Sequence, residues 1–234
     1  MHRFPNAQAA AHVIQHGEDH EVAELLTRVR QSRDDPKPLL KELAGHRDPV
    51  VRGWALSAIG DSIGVAGLDI LTDRAKRDRD SDVRDIAIQE LLDLDLDEAR
   101  QLAPIYRRKL RSKDLYEPAT GMWALAAVGD SSSLDAIRTI EETATNAIQK
   151  NTAAVVSMIL EGRSSEILAG IRSHNHDLMP WLTKAARILG TPEAQNVLQE
   201  CAASTFDEEC RNWCRKDAEY LAARRTRKSG PRGP

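Results

Sequence analysis

Three tryptophans and four arginines are the side chains whose types and spacing could do chemistry. Trp54, Trp123 and Trp213 each stand directly before a small residue, Ala55, Ala124 and Cys214. A large ring at such a place either fills a seam between helices or stands at a groove wall as an anchor for a partner. Arg52, Arg84, Arg187 and Arg211 flank those rings, and a guanidinium fork suits carboxylates of a bound protein. The structural alternative for Arg52 and Arg84 is a bracing pair with Asp48, Asp80 or Asp82. Arg187 takes the place of Ser57 and Ala126 of earlier segments, which frees it to face a groove.

Metal and nucleophile chemistry find less foothold. His12, His16 and His20 are spaced by four, which on one unbroken helix would align them. Gly17 interrupts that alignment: it ends a first helix, and Glu18 or Asp19 opens a second. His174 and His176 fall in a turn between helices, where they read as a ligand pair or as turn residues ahead of Asp177 as N-cap. Cys201, Cys210 and Cys214 are odd in number and bunched, and Cys210 and Cys214 share a helix face. They read as reduced, buried thiols, since no repeated Cys-x2-Cys pair announces zinc. No Gly-rich phosphate loop, His-Glu-x-x-His or nucleophile elbow occurs. No catalytic residue, metal or cofactor is therefore assigned.

The chain has 234 residues, 41% hydrophobic and 29% charged, as in an ordinary soluble protein. Aromatics make up only 4%, and Ala, Leu, Arg, Glu and Asp crowd every stretch, which favours helices over strands. No segment approaches the roughly 20 apolar residues that cross a bilayer, and the first residues lack a secretory apolar run, so a cytoplasmic location is expected. Arg224, Arg225, Arg227, Lys228 and Arg232 gather five positive charges at the end. Without them the net charge falls from −3 to −8. A body that acidic disfavours nucleic acid, leaving the basic end as the place where an acidic surface or nucleic acid could touch.

Internal repetition organises everything else. Trp54, Gly60 and Asp61 recur as Trp123, Gly129 and Asp130, a shift of 69 or two periods of about 34. The intervening copy is Asp80-Ser-Asp-Val83-Arg84, with Arg84 32 positions after Arg52. Fainter copies follow from Ala153, Trp181 and Cys210. Val51, Ala55, Ala58 and Ile59 form one apolar stripe of helical period. Asp48-Pro49 caps its start, and the recurring Gly60, Gly129, Gly162 and Gly190 suit left-handed C-caps. Second stripes alternate with these, giving helix pairs 36–45 with 48–60, 64–76 with 81–94, 97–111 with 116–128, 132–144 with 147–161, 164–172 with 177–189 and 192–203 with 207–223. Helices near 6–16 and 19–32 cap the front. The organisation is thus capping helices over 1–35, a repeat array over 36–223 and a basic, disordered tail over 224–234.

The run Asp-x-x-Val-Arg-x-x-Ala-x-x-Ala-(Leu/Ile)-Gly-Asp, clear at 48–61 and 81–92, resembles the HEAT repeat, especially the short phycocyanobilin-lyase-like bacterial type. At 117–131 Thr120 and Gly121 stand in the Val-Arg places, and from 147 onward the match is weak. The resemblance implies an all-α fold, a right-handed α-α superhelix of the HEAT/armadillo-like kind with six to seven hairpins. It also implies that the Val-Arg helix lines a concave side and that Arg52 and Arg84 brace adjacent turns.

An extended, shallow groove suits a protein segment or a helix. The expected function is a non-catalytic protein-binding scaffold, adaptor or regulatory protein that uses Trp54, Trp123, Trp213 and the arginines. The rival is a DNA-binding protein similar to the HEAT-like alkylpurine DNA glycosylases, which need the basic groove that this acidic body lacks. A bilin-lyase role would rest on the repeat resemblance alone.

Overall fold

Asp48 and Asp80 each stand one residue ahead of a helix and accept hydrogen bonds from its first free amides. Val50 donates to Asp48 at 2.9 Å, and Asp82 and Val83 donate to Asp80 at 3.0 and 3.2 Å. Asn6, Asn146 and Thr191 do the same for three further helices, as short polar side chains at this position do. Between these starts and the apolar stripes that follow them, the sequence has little choice but helix. The computed structural model describes residues 6–32, 34–204 and 207–229. Among them lie fifteen α-helices, two single 3-10 turns and no strand, so the fold class is all-α, a solenoid of helical hairpins.

The chain divides into two units. The first, residues 1–102, holds α1 (Ala7–His16), α2 (Asp19–Gln31), α3 (Lys37–Ala44), α4 (Pro49–Ser62), α5 (Leu68–Arg77), α6 (Ser81–Leu94) and α7 (Leu96–Gln101). Helices pair as α3 with α4 and α5 with α6, and α4 packs on both α2 and α6. Leu40, Leu43, Leu56, Ile59, Leu71 and Leu91 are fully buried between them. At about 25 cal/mol per Å2 of apolar surface, each such side chain contributes roughly 2 kcal/mol against the entropy of ordering. Gly17 closes α1, and Glu18 with Glu21 forms a capping box that opens α2, so His20 lies on another helix from His12 and His16.

The second unit, residues 103–234, holds α8 (Ala103–Lys109), α9 (Glu117–Val128), α10 (Leu134–Thr143), α11 (Ala147–Leu160), α12 (Ser164–Arg172), α13 (Met179–Leu189), α14 (Pro192–Ala203) and α15 (Glu208–Ser229). Its hairpins are α8–α9, α10–α11, α12–α13 and α14–α15. The second helix of each packs on the next, α9 on α11, α11 on α13 and α13 on α15. The single helix expected over 97–111 is broken at Leu102, where Pro104 lacks an amide to donate and disfavours helical geometry before it. At the other end α15 runs to Ser229, so the part of the expected tail up to that residue is helical, and residues 230–234 lie outside the described residues.

Side-chain bonds repeat the period of the sequence. Trp181 Nε1 donates to Thr152 Oγ1 at 3.1 Å across 29 positions, joining α13 to α11. Within hairpins the spacing is 23: Arg107 of α8 forks onto Asp130 at 2.8 and 2.7 Å, and Arg138 of α10 onto Glu161. Asp130 also accepts from the hydroxyls of Ser132 and Ser133. Arg107, with burial opposing and the two serines helping, holds the Asp130 carboxyl down at about 2.

The closing glycines divide into two kinds. Gly129, Gly162 and Gly190 have φ of 70°, 74° and 63°, the left-handed C-cap that the sequence suggests. Gly60 does not. It lies buried inside α4, which runs on to Ser62, and a Cβ there would collide with the Glu90 carboxylate of α6. Its smallness leaves room for that side chain rather than making a turn.

Candidate functional site

Thr120 and Trp123 share one face of α9, and Tyr116, its N-cap, stands one turn ahead of Thr120. Asp114 fixes the start of that row by accepting from the amides of Tyr116 and Glu117 at 2.7 and 3.0 Å. Gln149 at the start of α11 donates to the carbonyl of Leu115 at 3.2 Å. Opposite stand Trp181 and Lys184 of α13, with Ile148 and Thr152 of α11 between. These residues line a groove of about 280 Å3. The Trp181–Thr152 bond holds the indole in place, while Tyr116 is 61% exposed at the rim.

Lys184 gives the groove its charge. Its ammonium nitrogen lies 4.9 Å from the centroid of the Trp123 ring, within cation–π range. Burial, with Arg187 nearby, pulls the Lys184 pKa down to about 8 against the opposing pull of Asp217. One turn on, Arg187 pairs with Asp217 of α15 at 3.4 Å and stacks 4.3 Å over the Tyr220 ring. Three aromatic surfaces and a cation thus lie within one unit, which suits an apolar side chain next to a carboxylate. A larger hollow of about 700 Å3 beside α1 and α3 is lined by Ala9, Ala11, His12, Gln15, Glu42 and neighbours, with no Trp or Tyr.

The sequence-selected residues scatter over different roles. Trp123 lines the groove at 8% exposure. Trp54 is half-buried on α4 in the first unit, and Trp213 is half-buried on α15, with its ring edge-on to His176 at 6.2 Å. Arg52 is 3% exposed and wholly spent inside the fold: Nε and Nη2 donate to Asp78 at 2.9 and 2.8 Å, and Nη1 to the carbonyls of His46 and Arg47. It is unavailable to a partner, and its acid is Asp78 rather than Asp48, Asp80 or Asp82. Burial raises the Asp78 carboxyl, but the Arg52 fork, the Asp80 amide and Arg74 outweigh it and leave it below the ordinary value. Arg84 is half-buried and donates to the Asp78 carbonyl at 2.8 Å, and Arg211 is half-buried on α15.

The third hairpin explains its own departure from the repeat. Gly121 stands in the Arg place, and a Cβ there would lie 2.8 Å from the Tyr106 carbonyl oxygen and 2.9 Å from Lys109 Cβ. Close approach of α8 and α9 replaces the arginine brace, and buried Lys109 meets Glu117 at 3.2 Å.

Sequence reasoning passed over Tyr116, Trp181 and Lys184. One signal was present: counting back six from Gly60, Gly129 and Gly190 gives Trp54, Trp123 and Lys184, so the lysine occupies the tryptophan place. Two other expectations change. Asp177 is not a cap, since α13 begins at Met179 with Leu178 as N-cap. Cys201 and Cys214 are joined in a disulfide, because facing positions of α14 and α15 bring their Cα atoms to 6.0 Å; Cys210 stays free and buried.

An all-α solenoid of hairpins is the class that this architecture defines. Residues 8–92, from α1 into α6, match the family model described as HEAT repeats. The second unit is likewise built of helical hairpins. No curated protein matches the chain. Among the described residues no helix is long and apolar enough to cross a membrane.

Proposed function

We propose that the chain is a non-catalytic protein-binding scaffold, adaptor or regulatory protein whose recognition groove is the one lined by Tyr116, Trp123, Trp181 and Lys184. The observation that carries this reading is the Lys184 ammonium held against Trp123 inside an aromatic groove. HEAT arrays of this kind are commonly interaction surfaces, and stacked hairpins offer long, shallow faces to protein segments. The ligand that fits is a peptide segment with an aromatic or leucine side chain next to Asp or Glu. The apolar group stacks on the two indoles and the carboxylate meets Lys184.

Selection of a phage-displayed random peptide library on the full chain tests this. Enrichment of an acidic residue beside a large apolar one, lost on Lys184→Glu and on Trp181→Ala while the helical circular dichroism holds, is expected. The same peptides enriched on all three proteins would remove the groove from the proposal.

Two finer readings belong here. The resemblance of residues 48–61 and 81–92 to phycocyanobilin-lyase-like repeats supports a short bacterial HEAT type. Cytoplasmic residence and contact of the basic end with an acidic surface are sequence-based proposals, supported by composition and by the charges of residues 224–232.

A further inference from the structure

A second constellation lies where the turn between α12 and α13 meets the start of α15. His174, at φ 52°, closes α12 with its amide on the Ile171 carbonyl at 3.1 Å, and the chain then reverses through His176. The His176 ring rests edge-on against Trp213, 6.2 Å between centroids. Ahead of α15, Asp207 caps the helix by accepting from the Cys210 amide at 2.9 Å. Cys210 follows in the first turn, its side chain buried beneath the two exposed partners. One nitrogen of His176, one carboxylate oxygen of Asp207 and the Cys210 sulfur all lie within 4.8 Å of one another, with His176 Nε2 3.8 Å from Asp207 Oδ2.

We propose that His176, Asp207 and Cys210 bind a single divalent transition-metal ion of the zinc type. The donor set is chemically selective: imidazole and thiolate suit Zn2+ and disfavour Ca2+ or Mg2+, which take oxygen ligands. Around tetrahedral zinc, with bonds of about 2.0–2.3 Å, ligand atoms stand about 3.5 Å apart. Side-chain rotation of about 1 Å closes the present arrangement to that size. Three protein ligands leave a fourth position, which faces solvent on the side of exposed His176 and Asp207. The ion would fasten the α12–α13 turn to α15, and Trp213 would hold the imidazole to its ligating orientation. Because the Cys201–Cys214 bond removes the other two sulfurs, Cys210 is the single thiolate that the oxidised chain can offer.

Titrating the full, oxidised protein with Co2+ tests the site, since a thiolate bound to Co2+ produces a charge-transfer band and tetrahedral geometry gives strong visible bands. Saturation at one equivalent is expected, reversed by Zn2+. The charge-transfer band is expected to vanish in Cys210→Ser, and the affinity to fall at least tenfold in His176→Ala, an exposed position whose loss leaves the helical circular dichroism unchanged. No band at millimolar Co2+, or wild-type affinity in folded His176→Ala, would overturn the proposal. If Cys210→Ser fails to fold, the His176→Ala and Asp207→Asn titrations decide it.

Discussion

Lys184 stands in the same repeat place as Trp123, six residues ahead of a closing glycine, and its ammonium rests 4.9 Å from that very ring. The fold thus sets a cation from one hairpin on an aromatic face two hairpins earlier within the second unit. Charge is kept there at a cost, because burial pulls its pKa down to about 8 from the usual 10.5.

A folded-state value below the unfolded one means that the unfolded chain binds more protons between pH 8 and 10.5, so this group adds stability as pH rises through that window. Below pH 8 the full cost applies. Lys184→Met is expected to stabilise the protein at pH 7 by on the order of 2 kcal/mol, a gain that fades by pH 10.5. Urea melts of both proteins at the two pH values check this, and a loss of stability at pH 7 would contradict it. Affinity for an acidic peptide is expected to fall as pH rises above 8.

Arg52→Ala removes the partner of a buried carboxylate and the donor to two carbonyls, since Arg52 is 3% and Asp78 5% exposed. A broken buried pair costs about 3–5 kcal/mol. Thermal denaturation of Arg52→Ala should show that loss, whereas Arg52→Met with Asp78→Asn should recover part of it. Equal stability of Arg52→Ala and wild type would refute the bracing role.

Gly121 and Gly129 separate two reasons for glycine. Gly129→Ala meets nothing within 4 Å and is penalised only by φ of 70°, a cost of about 1–2 kcal/mol. Gly121→Ala drives a Cβ into backbone and side chain of α8, so a larger loss is expected, with α8 and α9 losing amide protection first. Hydrogen exchange read by mass spectrometry distinguishes the two variants.

Reduction of Cys201–Cys214 opens a loop of 13 residues between α14 and α15. A closure of that length is worth about 3 kcal/mol in the chain-entropy account. Calorimetry with and without reductant should show a lower transition for the reduced protein, matched by Cys201→Ser without reductant. Since reducing compartments keep such bonds open, the state of this pair in freshly quenched cells also reports where the protein resides.

The elements were legible because caps and stripes are local. Asp48, Asp80 and Pro49 mark helix starts, and the apolar period marks the packed face, so the hairpins fall where the residues place them. What faces what was less legible, because it depends on how one hairpin lies on the next. Asp78 escaped notice as the acid of Arg52 because it lies past the end of α5 and has no mark of a cap. The groove is less legible because Trp181 marks only a faint copy of the repeat in the sequence, whereas α13 presents it and Lys184 toward α9 and α11. Cys201 and Cys214 gave no sign of pairing, since a spacing of 13 becomes a facing pair only once the turn between two helices is known.

The clasp Arg107–Asp130 recurs as Arg138–Glu161 with both members advanced by 31 positions. Each ties the first helix of its hairpin to the end of the second, and Glu161 also accepts from Arg163 at the start of α12 at 3.1 Å. A stretch of that length therefore carries its fastening with it, and tandem duplication or excision in steps of 31 residues leaves every remaining clasp whole. Length in such a chain can change by copying, without redesign of the pieces that stay.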